Sequence, residues 1–91
     1  MKPVARVGDT HICGNPNCPG NDVIVSGGQG IVDGRQVARI GDTTACGAII
    51  VEGSSQATDT GQPIAYQGCA TQCGPYRGQI VTGSPQAKVK P

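Results

Sequence analysis

Val4-Ala5-Arg6-Val7-Gly8-Asp9-Thr10 returns as Val37-Ala38-Arg39-Ile40-Gly41-Asp42-Thr43, an offset of 33 residues with one conservative change. A more divergent third copy, Ile64-Ala65-Tyr66-Gln67-Gly68-Cys69-Ala70, keeps the Ala and the Gly in register but puts Tyr66 in place of Arg and Cys69 in place of Asp. Fixed-period self-similarity of this kind marks a fold built by stacking one supersecondary unit. A second short apolar element follows each copy: Val23-Ile24-Val25, Ile49-Ile50-Val51 and Ile80-Val81-Thr82. The chain therefore reads as one domain over 1–91, with units at about 3–30, 31–57 and 58–85 and a short tail at 86–91.

Each unit is a strand, an apex loop, a second strand and a turn. The runs are short, β-branched and punctuated by Gly, Asp, Asn and Pro, which is the strand and turn signature. Apolar residues do not recur at i, i+3, i+4 and i+7, and glycine is too frequent for a helix interior, so the fold class is all-β. Asp33-Gly34 and Thr60-Gly61 precede the second and third units at matching positions and predict tight turns into the next strand.

Composition limits what can hold such a fold together. Of 91 residues, 15 are Gly and 7 are Pro, there is no Phe or Trp, and the two aromatics are Tyr66 and Tyr76. The bulky side chains that dominate most cores are missing. Seven basic and six acidic side chains nearly cancel, and the only basic cluster is Lys88 with Lys90, which argues against nucleic acid as a partner. The opening residues lack the apolar run of about 7 that a signal peptide needs, and no stretch approaches the roughly 18 apolar residues of a membrane span. The expectation is a protein without a Sec signal and without stable membrane insertion. In the reducing cytoplasm that this implies, five cysteines read as metal ligands before disulfides.

Aligning the three units on Gly8, Gly41 and Gly68 places Cys13, Cys46 and Cys73 at one equivalent position. If the units pack about a pseudo-threefold axis, equivalent positions meet there and three thiolates arrive at one point. Zinc takes four S or N donors in its closed structural sites, and His11, in the same apex loop as Cys13, is the first choice for the fourth. Cys18 and Cys69 are the reserves. Six candidates for four places leave some as small buried apolar residues. Asp9 and Asp42 recur within Gly-Asp and read as turn-capping residues rather than catalytic acids, so no enzymatic activity is expected. A metal also suits the energetics, because so small a chain buries little apolar area against its conformational entropy.

The chain resembles the PAAR-repeat proteins, which form the spike tip of type VI secretion systems and related contractile phage tails. The likeness rests on Pro3-Val4-Ala5-Arg6-Val7-Gly8-Asp9, on Gln36-Val37-Ala38-Arg39-Ile40-Gly41-Asp42 and on the Gly-Ser ends at Gly53-Ser54 and Gly83-Ser84. It implies a short three-faced β-cone, or pyramid, with a metal near the apex and a broad base docked on the trimeric valine-glycine repeat spike protein. One monomer would cap one trimer, in the cytoplasm before firing and outside the cell after it, with effector proteins carried by partners. In the family the zinc is held by histidines and one cysteine. His11 matches a recurring Gly-Asp-x-His, Cys46 falls where many relatives carry His, and Cys18 lies near a place where relatives supply a ligand. A cysteine-rich set also suits iron. The competing readings are a zinc-ribbon-like module for nucleic acid or protein, against which the missing basic patch argues, and a rubredoxin-like redox protein, against which the missing CxxC pairs argue.

Overall fold

The structure, a computed structural model, describes residues 1–17 and 21–91. The candidate ligand Cys18 lies outside the described residues. Eleven short strands are present among them: β1 (Lys2–Pro3), β2 (Thr10–Ile12), β3 (Asn21–Val23), β4 (Ile31–Val32), β5 (Arg35–Gln36), β6 (Ile49–Ile50), β7 (Thr58–Asp59), β8 (Gln62–Pro63), β9 (Ala70–Cys73), β10 (Tyr76–Ile80) and β11 (Lys88–Val89). No helix occurs among the described residues, as the glycine spacing predicts. The body measures 32 × 22 × 21 Å, one long axis and two nearly equal short ones, as a short cone requires.

The repeat closes on itself through backbone hydrogen bonds. Ala5 N–H donates to Ala65 C=O at 3.0 Å, Ala65 N–H to Ala38 C=O at 2.9 Å and Ala38 N–H to Ala5 C=O at 2.9 Å. Three equivalent residues thus form a triangle of backbone contacts, which fixes a pseudo-threefold axis. Alanine recurs there because backbones this close leave space for little more than a methyl group, and all three are fully buried.

The same threefold rule governs the rest of the unit. Gly8, Gly41 and Gly68 all have φ between 94 and 100° and donate to the carbonyls of Ile24, Ile50 and Ile80 at 2.8 to 2.9 Å. That conformation is open to glycine at little cost, so the glycine is the pivot that turns each first strand into its apex loop. The three isoleucines fill the core beside the alanines. Each full burial stabilises by roughly 1.5–3 kcal/mol. A second cluster of Val4, Val37 and Val89, with Ile64 packed against it, forms the layer on the other side.

The turns at Asp33-Gly34 and Thr60-Gly61 both have two successive positive φ angles, 55 and 78° in the first and 51 and 84° in the second. They close the hairpins β4–β5 and β7–β8. The segment 86–91 differs from the tail expected of it. β11 pairs antiparallel with β1, Pro3 opposite Lys88 and Lys2 opposite Val89, in the register that pairs Gln36 with Ile31 and Pro63 with Thr58. The third hairpin is made from the two ends of the chain, because the first unit's opening strand needs the partner that the other two find in the turn before them.

Candidate metal centre at the apex

Towards the apex the chain forms a curled sheet in the order β3-β2-β10-β9-β6. Side chains two apart on a strand share a face, so the inward positions of β2 continue from His11 to Cys13 and those of β9 from Thr71 to Cys73. Counting from the pivot glycines, His11, Thr44 and Thr71 are equivalent, and they are 0, 3 and 0% exposed. This layer lies two residues below the cysteines.

Cys13, Cys46 and Cys73 converge as the alignment of the units predicts. Their Sγ atoms all lie within 4.8 Å of one another. Thiolates on one tetrahedral zinc stand about 3.8 Å apart, given a Zn–S bond of about 2.3 Å. The three sulfurs therefore fit a shared ion with a small inward movement. Asn15 Nδ2 donates to Cys73 Sγ at 3.4 Å, and Thr44 Oγ1 lies 3.5 Å from Cys46 Sγ.

His11 joins a second group that shares only Cys46 with the first. Its ligand atoms lie within 4.8 Å of those of Asp22 and Cys46. His11 Nδ1 is 2.7 Å from Asp22 Oδ1, and Nε2 is 2.5 Å from Thr71 Oγ1. Asp22 Oδ2 also accepts from the backbone N–H of Cys46 at 2.7 Å. Burial works against ionisation of Asp22, but the hydrogen bonds from His11 and from Cys46, with Thr44 adding to them, hold its carboxyl below the ordinary range. Asp22 is thus an acceptor held between His11 and the Cys46 loop. Together the cysteines and His11 form a donor set that can hold a metal ion.

Cys69, a reserve ligand on sequence grounds, belongs to neither group. It is fully buried in the core with the three alanines and three isoleucines. Burial pushes its thiol up to about 11, so it stays neutral where a metal needs a thiolate. Asp22 escapes a reading by residue type, since the other units have Ala48 and Gly78 two residues before their core isoleucine. Alternation on the strand entering Ile24 is the signal that finds it. Gly78 is the third component. A Cβ built there would lie 2.2 Å from the Ile12 carbonyl oxygen and 2.8 Å from His11 Nε2. One imidazole in a layer otherwise made of threonines thus takes its space from a glycine in another unit.

These features define a class: a small all-β, pseudo-threefold cone with a cysteine and histidine donor cluster at one end. A model of the PAAR motif matches residues 1–52, more than half of the chain. The chain belongs to the PAAR motif family. No curated protein matches it.

Proposed function

We propose that this chain is a structural spike tip, which caps and sharpens the trimeric β-helical spike of a type VI secretion system or a related contractile tail. Its family membership gives the general setting of spike tips. The observation that carries the finer reading is the Ala5, Ala38 and Ala65 triangle. It gives a single chain threefold symmetry, and only such a body can offer three equivalent edges to a trimer. The end of a trimeric β-helix presents unpaired strand edges, which β-strands added on three faces would cover.

In this reading the partner is a valine-glycine repeat spike trimer, one chain per trimer, and effector proteins travel on the assembled tip. The role is mechanical and breaks no bond. A d¹⁰ ion, zinc in the first instance, staples the apex, where tight loops bury little apolar area and metal ligation contributes on the order of 10 kcal/mol. The protein resides in the cytoplasm until the apparatus contracts and carries it out.

The test is association with the cognate spike trimer. Light scattering of a mixture at micromolar concentration is expected to show one chain per trimer. Elution of the two as separate species overturns the cap reading.

A further inference from the structure

Independently of the spike-tip reading, we propose that the arm from Ser84 to Pro91 exchanges between copies of this chain, so that the slot beside Val4 takes the same segment of a second molecule. The way the three arches of the fold are closed points to it. In each arch one residue of the layer formed by Val4, Val37 and Ile64 is clasped on both sides. Gly28 N–H donates to Val37 C=O at 2.8 Å and Val37 N–H to Gly30 C=O at 2.9 Å. Ser54 N–H donates to Ile64 C=O at 2.8 Å and Ile64 N–H to Ala57 C=O at 3.0 Å. Ser84 N–H donates to Val4 C=O at 2.8 Å and Val4 N–H to Ala87 C=O at 3.0 Å.

Two of these arches are closed covalently, by the turns at Asp33-Gly34 and Thr60-Gly61 that join β4 to β5 and β7 to β8. The third is closed by contacts alone, because β1 and β11 are not consecutive strands. Beyond the two bonds to Val4, the Ser84 hydroxyl donates to the Asp33 carboxylate at 2.6 Å. The Ser54 hydroxyl donates to Lys90 C=O, and the Ser55 hydroxyl to Pro91 C=O at 3.1 Å. Val89 is buried in the cluster with Val4 and Val37. The Ala5, Ala38 and Ala65 triangle uses no residue of the arm. The arm can therefore open as a unit of its own while the axis stays intact.

It also carries its bend with it. Ser84 Oγ accepts from the backbone N–H groups of Gln86 and Ala87 at 3.1 and 2.9 Å, and these bonds lie within the arm. A second copy presents the same Val4, Asp33, Ser54 and Ser55 to the arriving segment, so exchange between two chains remakes every bond that it breaks. Swapping an identical element in this way is a low-cost route to a dimer. What opposes it is the freedom lost on association, which a high concentration of chain offsets.

The test uses the full wild-type chain under a reducing agent, which excludes disulfide-linked dimers. The Val4 amide is expected to exchange with deuterium about 10-fold or more faster than the amides of Ala5, Ala38 and Ala65. Equal protection at all four overturns the inference, since the arm then opens only with the whole fold. Isotope-labelled and unlabelled chains are next unfolded, mixed and refolded together at about 1 mM, the scale of local concentration that a short tether imposes. Native mass spectrometry is expected to show a dimer of mixed mass. An excess of a synthetic peptide spanning Ser84 to Pro91 should remove most of that dimer, and the same peptide carrying Val89→Asp should leave it. A chain that stays monomeric, or a dimer that the peptide does not reduce, overturns the exchange.

Discussion

The backbone N–H of Tyr66 donates to Cys69 Sγ at 3.2 Å, at the position where Arg6 N–H donates to Asp9 Oδ2 at 2.7 Å and Arg39 N–H to Asp42 Oδ2 at 2.8 Å. One turn is thus capped three times, twice by a carboxylate and once by a thiol. The exchange is coupled. An aspartate in this turn needs the guanidinium three residues before it, and the third unit has Tyr66 there instead. Cys69→Asp alone is expected to bury an unpaired carboxylate and destabilise by about 3 kcal/mol, while Tyr66→Arg with Cys69→Asp recovers most of that. Urea midpoints of the two variants check it. Equal loss in both shows that the units are not interchangeable.

The two ion pairs should differ in worth. Arg6 and Asp9 are 7 and 3% exposed, while Arg39 is 20% exposed. Asp9→Asn leaves a buried guanidinium with Asp33 alone and should cost about 3 kcal/mol. Asp42→Asn should cost about half as much, because water reaches Arg39. Chemical denaturation ranks them, and a reversed order contradicts the burial argument.

Acid should unfold the protein partly through Asp9. Burial works against its ionised form, but hydrogen bonds from the Arg6 side chain, the Thr82 hydroxyl and the Arg6 backbone N–H hold the carboxyl below its ordinary value. A carboxyl depressed in the folded state stabilises fully above its unfolded pKa of about 4, and that contribution is lost as pH falls through the folded value. Stability should therefore decline below about pH 4, and less steeply in Asp9→Asn. Identical slopes would assign the acid sensitivity to other groups.

Gly78 should tolerate no side chain. With an added Cβ 2.2 Å from the Ile12 carbonyl oxygen, Gly78→Ala must push β10 away from β2, at a cost of about 3 kcal/mol or a fall in Tm of at least ~10 °C. Gly34→Ala is the control. Its φ is 78° but a Cβ there touches nothing, so only backbone strain of about 1 kcal/mol is expected. Calorimetry of both variants separates close approach from turn strain.

Metal removal should act through Cys13, Cys46 and Cys73 and spare Cys69. Cys46→Ser is expected to lower metal content and Tm together, and chelation of the wild type should cost several kcal/mol. Cys69→Ser should keep its metal equivalent, because that sulfur lies in the core away from both donor groups. Elemental analysis of each variant beside its melting curve decides. A Cys46→Ser protein with full metal and an unchanged Tm removes the ligand assignment.

Much of this was legible in the letters because the repeat carries the symmetry. Three Gly pivots, three Ala positions and three Cys positions align in one dimension, and a threefold axis turns that alignment into proximity. The all-β class, both tight turns and the meeting of Cys13, Cys46 and Cys73 follow from sequence alone. What breaks the symmetry needed coordinates. The pairing of β1 with β11 joins the two ends of the chain, Asp22 sits where its counterparts are Ala48 and Gly78, and His11 falls in a donor group with Asp22 and Cys46 while Cys46 alone is shared with the cysteine group. A sequence fixes which positions are equivalent, since equivalence is a matter of register. Which of several donors near an axis faces its neighbours, and which is already satisfied, depends on distances of a few tenths of an ångström that only packing in three dimensions sets.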